Sequence, residues 1–111
     1  MNTENVDALY NAGLALTWQG RIEEASVRFE AALRLDSKYV SALYWLGIVH
    51  IVQQNYSRAA GMFDRVLELQ PSNESAERFR ALALEIQATG AKVDNFNIQM
   101  GPISVKVKLQ P

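Results

Sequence analysis

The chain has no cysteine and one histidine, His50, among its 111 residues. Disulfides, thiolate metal sites and cysteine nucleophiles are therefore excluded. A lone histidine reads as a satisfied packing residue or a rim residue rather than a general base. Charge of one sign is also missing. Eleven basic side chains stand against twelve acidic ones, for a net charge of -1, so there is no basic excess of the kind that phosphate backbones attract, and no nucleic acid partner is expected. The longest apolar run, residues 42–52, is broken by Gly47 and His50. As a helix it would cross roughly half of a bilayer core, so it reads as a buried helix, and no membrane span is expected. Met1-Asn2-Thr3-Glu4-Asn5 has neither a basic region nor an apolar run behind it, unlike a signal peptide. The expected location is cytoplasmic. Gly13, Gly20, Gly47 and Gly61 are isolated, so no glycine-rich loop is available to cradle phosphate. The acidic residues lack calcium-loop spacing. Glu23 and Glu24 open a helix, where acidic side chains suit the dipole. No catalytic constellation is found, and neither enzyme activity nor a cofactor or metal is expected.

What is present is apolar and periodic. At 49% hydrophobic and 21% charged residues, the composition is that of one globular domain, able to bury roughly two-thirds of its unfolded surface. Sliding the sequence by 34 residues brings ten identities into one register. These pair Val6 with Val40, Ala8 with Ala42, Leu9 with Leu43, Tyr10 with Tyr44 and Gly13 with Gly47. Gln19 with Gln53, Ala25 with Ala59, Phe29 with Phe63, Leu33 with Leu67 and Leu35 with Leu69 complete the set. Helical spacing runs through Val6, Leu9, Gly13 and Leu16, and again through Ile22, Ala25, Phe29 and Leu33. Each unit thus reads as two helices, broken at Gln19-Gly20 and at Gln53-Gln54-Asn55. Gly13 and Gly47 fall where paired helices approach most closely, with Phe29 and Phe63 filling the space beside them. Pro71 cannot continue a helix, and Ser72 is the expected N-cap of the next one.

The period and these residue types resemble the tetratricopeptide repeat family. The resemblance implies an all-α fold, an antiparallel helix-hairpin superhelix of two repeats, residues 6–39 and 40–73, closed by a capping helix over 74–89. In that last helix Phe79, Leu82, Ala83 and Ile86 keep one apolar stripe while Glu77 and Arg80 make the outer side polar, as at the end of a repeat stack. The domain is thus expected to span residues 1–90. In this family the first helices of successive repeats line a concave surface that binds a peptide or helix. The positions so implied include Asp7, Tyr10, Leu14, Thr17 and Trp18, then Ser41, Tyr44, Ile48, Ile51 and Val52, with Trp45 at the junction and Phe79, Leu82 and Ile86 from the last helix. The family's carboxylate clamp needs Lys, Asn and Arg at such places, where this chain has Tyr10, Leu14, Tyr44 and Ile48. Recognition of a charged C-terminal peptide is therefore not expected, and the groove reads as apolar and aromatic. Tyr10, Trp18, Tyr44 and Trp45 are the expected anchors. Arg78, Arg80, Arg58 and Arg65 read as solvated helix faces pairing with Glu74, Glu77 and Asp64.

Residues 91–111 follow a different pattern. Ile103, Val105, Val107 and Leu109 alternate with polar residues, and Phe96, Ile98 and Met100 alternate before the Gly101-Pro102 bend, which is the pattern of a strand or hairpin. A lone hairpin is marginal in water. The tail is therefore expected to dock through Ile103, Val105, Val107 and Leu109 on an apolar surface, or to pair with another copy. Two functions follow. One is a non-catalytic protein-interaction module, an adaptor or assembly factor with a protein or peptide partner. The alternative is a structural self-assembly module whose tail docks in the groove or pairs with another copy to form a homo-oligomer, a homodimer for instance.

Overall fold

The computed structural model describes residues 5–90 and the backbone of two short strands, residues 96–100 and 103–107. Five helices follow one another: α1 (Val6–Trp18), α2 (Ile22–Leu35), α3 (Val40–Val52), α4 (Tyr56–Leu69) and α5 (Glu74–Thr89). The starts of α1 and α3, of α2 and α4, and of α3 and α5 are each 34 residues apart. Each helix packs on its successor, and α1, α3 and α5 also touch along one layer, whereas α2 and α4 do not pack side by side to the same degree. This is the all-α arrangement of stacked helix hairpins that the repeat implies.

Local chemistry sets the helix ends. The Asn5 side chain accepts from the backbone N–H groups of Asp7 and Ala8, at 2.7 and 3.2 Å, capping α1. Arg21 forms a two-pronged pair with Glu24 in the first turn of α2, at 2.7 Å on both contacts. The N-cap of α5 is Asn73, whose side chain accepts from Ala76 N at 2.9 Å. Ser72, the expected cap, lies one residue outside, because Pro71 and Ser72 are spent in the turn. Gly90 closes α5 in the left-handed conformation at φ 59°. The α1–α2 and α3–α4 turns both carry a positive φ one period apart, 80° at Gly20 and 66° at Gln54.

Two core clusters, one per repeat, meet at α3. Phe29 and Phe63 are fully buried. A Cβ built on Gly13 would stand 2.6 Å from the Phe29 ring, and one on Gly47 would stand 2.7 Å from Phe63. The glycines therefore create the space that the rings occupy, and each helix hairpin closes through one such pair.

Beyond α5, β1 (Phe96–Met100) and β2 (Ile103–Val107) pair antiparallel, with Phe96 opposite Val107, Ile98 opposite Val105 and Met100 opposite Ile103. Of the expected docking set, Ile103, Val105 and Val107 have their backbone in β2 and their side chains outside the described residues, and Leu109 lies wholly outside them.

Candidate interaction surface

The layer shared by α1, α3 and α5 carries a row of partly exposed aromatic and aliphatic side chains: Tyr10, Leu14, Trp18, Tyr44, Trp45, Phe79 and Leu82. Tyr44 is its hub. Its ring meets Trp45 at 5.9 Å, Phe63 at 5.7 Å and Phe79 at 6.2 Å, all close to edge-on, while Phe63 and Phe79 stack at 5.8 Å. In the three edge-on contacts a weakly positive ring edge meets a negative ring face, which favours this arrangement of the cluster. Tyr10 holds the other end of the row, 5.3 Å from Tyr39 and 6.0 Å from Phe29.

The phenols reflect this packing. Burial pushes both Tyr10 and Tyr44 above the ordinary tyrosine pKa, and it outweighs the opposing contacts: Ser41 and Trp45 at Tyr10, and the Ser75 hydroxyl with the Arg78 charge at Tyr44. Both remain neutral hydroxyls at physiological pH. Tyr39 donates to Asp7 Oδ1 at 2.5 Å, tying the α2–α3 turn to α1, and this bond to a carboxylate pushes its pKa up to about 12. Between the start of α3 and the α4–α5 turn lies a hollow of about 250 Å³ bordered by Tyr44, Trp45, Ser41, Asn73 and Ser75. The Trp18 indole N–H is buried and has no acceptor among the described residues.

Not every expected groove position is open. Ile48, Ile51 and Ile86 are 1%, 0% and 5% exposed and belong to the core of the second repeat. Thr17 is also fully buried and returns its hydroxyl to Gly13 O at 2.8 Å. For Ile48 and Ile51 the cause is the position of α3, flanked by α1 and α5 in the layer, so its inner row is closed over. The surface is therefore narrower than the family resemblance implies.

The four arginines expected on solvated helix faces divide into two groups. Arg80 pairs with Asp64 across α4 and α5, and Arg78 lies near Tyr44. Arg58 and Arg65 instead face a cleft of about 530 Å³ with Arg34, which sequence reasoning did not single out. A signal was available. Glu30, Leu33 and Arg34 stand at i, i+3 and i+4, and Arg58, Gly61, Met62 and Arg65 at i, i+3, i+4 and i+7, so each set shares one helix face.

His50 sits at the base of that cleft, 5% exposed, with Nδ1 3.1 Å from Gln53 Oε1. Burial holds its pKa below the ordinary histidine value, more strongly than Gln53 and Glu30 raise it, and Arg58 pushes it lower still. Among the described residues no group of His, Asp and Glu is placed to hold a metal ion. No described helix is long and apolar enough to cross a membrane.

Comparison with known proteins bears on the same stretch. A tetratricopeptide repeat profile matches residues 10–74. The peroxisomal targeting signal receptor of Candida albicans is 37% identical over 70 residues, which is 60% of this chain and 12% of the receptor. The receptor of the same name from Komagataella phaffii is 35% identical over 68 residues, again 60% of this chain and 12% of the relative. The chain thus spans about an eighth of the length of these curated relatives.

Proposed function

The chain belongs to the tetratricopeptide repeat family, and from that premise we propose that it is a non-catalytic protein-interaction module that holds an apolar peptide or helix on its aromatic layer. The observation that carries this reading is the partly exposed row Tyr10, Leu14, Trp18, Tyr44, Trp45, Phe79 and Leu82 on a layer braced by edge-on ring contacts. Rigid aromatic surfaces lose little side-chain entropy on association and dominate interface energetics. Tyr44 and Trp45 border a hollow able to seat one side chain of a ligand, and Leu14 and Leu82 extend the apolar track to either side. Ile48, Ile51 and Ile86 support that track from beneath. The related receptors carry a name that denotes recognition of a targeting signal, which is the same broad class of activity.

The test is selection from a random peptide library displayed on phage, followed by affinity measurement. Selected peptides should be apolar, and Leu14→Lys and Leu82→Lys should each weaken them at least tenfold while the helical circular dichroism stays intact. Peptides that bind both variants as well as the parent chain would sink the reading.

A second reading rests on the β1–β2 pair. In a two-stranded sheet each strand has one outer edge without a partner in that sheet, and such edges invite pairing with another copy. The tail then serves self-assembly. Light scattering separates the two: a dimer that becomes a monomer on ending the chain at Gly90 favours self-assembly, and two monomers favour the adaptor reading.

A further inference from the structure

The cleft on the other side of α3 is a second candidate surface. At about 100° per residue, Leu46 and His50 lie on the flank of α3 away from Tyr44. The buried Leu46 and His50 form the base of the cleft, Leu33 of α2 and Met62 of α4 add apolar lining, and Arg34 of α2 with Arg58 and Arg65 of α4 make three of its lining residues cationic. Arg65 donates to Ser37 O at 2.9 Å, bridging α4 to the α2–α3 turn. Arg34 and Arg58 carry no hydrogen bond or ion pair among the described residues. Glu30 is the one acidic residue of the lining. Three cationic residues around an apolar floor stand out on a body whose first 90 residues hold 8 basic against 11 acidic side chains.

We propose that this cleft binds an acidic segment of a partner protein, with an apolar side chain seated on Leu33, Leu46 and Met62 and flanking carboxylates paired with Arg34, Arg58 and Arg65. Charge complementarity selects this occupant. The chain's own tail is a poor one, because residues 91–111 carry three lysines and one aspartate, the same sign as the cleft. A bare inorganic anion would leave the apolar floor uncovered. The guanidinium fork accepts a carboxylate through two parallel hydrogen bonds, so a peptide with acidic side chains on both sides of a Leu satisfies walls and floor together. Beside Glu30 the ligand is expected to be uncharged.

The chain reports on this site itself, since His50 is its only histidine. The experiment titrates the full chain with an acetylated twelve-residue peptide carrying Leu-Leu between glutamates, and follows the His50 ring and Met62 methyl signals by NMR. The expected result is a saturable shift of both signals that weakens as salt is raised. The double variant R34Q/R58Q should bind roughly tenfold more weakly, while Arg28→Gln, on α2 outside the cleft, should bind as the parent does. Leu14→Lys, on the aromatic layer, should leave this titration unchanged, which keeps the test separate from the function proposed above. Four outcomes overturn the proposal. They are equal binding of a peptide with glutamine in place of glutamate, the same shifts with inorganic phosphate at like concentration, shifts at Tyr44 and Trp45 without any at His50, and a doubling of solution mass that accounts for the shifts.

Discussion

One substitution, glycine to alanine, is expected to act in opposite directions at two sites of this chain. At Gly47 the new methyl would stand 2.7 Å from the Phe63 ring. That ring is fully buried and stacked on Phe79, so it has nowhere to retreat. Gly47→Ala should therefore cost about 1–3 kcal/mol, the usual price of overpacking. At Gly61 nothing lies within 4 Å of a new Cβ, and the backbone is ordinary α-helix. Gly61→Ala should stabilise by about 0.5–1 kcal/mol through helix propensity and a less disordered unfolded state. Urea unfolding of the two variants beside the parent chain checks both signs. His50 makes a separate prediction. Its folded pKa lies below the ordinary value of 6.5, so between the two values the unfolded chain binds more protons than the folded one. Stability should fall as pH drops below about 6.5 and then level off once the folded-state value is passed. His50→Gln should flatten the melting temperature across that window, and an unchanged slope would show that other groups control it.

At the scale of the element, the helix ends behave as separable parts. Asn73→Ala removes the side-chain acceptor at the start of α5 and should cost about 1 kcal/mol. The loss should appear as faster amide exchange in the first turn of α5, with α1 and α2 unchanged. The five helices were legible in the sequence because their register is written twice. A 34-residue slide aligns Gly13 with Gly47 and Phe29 with Phe63, and these pairs close the two hairpins. The candidate surface was legible only in part. Tyr10, Tyr44, Trp45 and Phe79 could be placed on one layer through the family resemblance. Whether Ile48 and Ile51 were open depended on how closely α1 and α5 lean on α3, which is a relation between distant segments that no local pattern carries. For the α2–α4 cleft the sequence carries the two helix faces but not their juxtaposition: the cleft depends on how loosely α2 and α4 pack, and Arg34 joins Arg58 and Arg65 only through that packing. The Ser72 cap was misplaced by one residue because turn chemistry at Pro71 is decided by backbone geometry, while Asn and Ser are nearly equal as caps.

For the whole molecule, stacked repeats hold each other through neighbour contacts, so stability is shared along the stack rather than local to a site. Removing α5 would uncover the face of α4 that carries Ala59, Phe63 and Val66 and would leave Phe63 without its stacking partner Phe79. A chain ending at residue 73 should bind a hydrophobic dye and unfold over a broad, weakly cooperative range. A sharp transition like that of the parent would show that the two repeats suffice without their cap. Helix α3 is the element on which the rest depends. It is apolar on nearly every side and touches each of the other four helices. That position has a consequence for synthesis on the ribosome. The chain emerges from its N-terminus, so α3 leaves with α1 and α2 already available while the 37 residues of 53–89 are still to come. At roughly 5–20 residues per second this interval lasts about 2–7 s. During that time a largely apolar helix has two of its four neighbours, and the nascent chain is at its most adhesive before α4 and α5 have emerged.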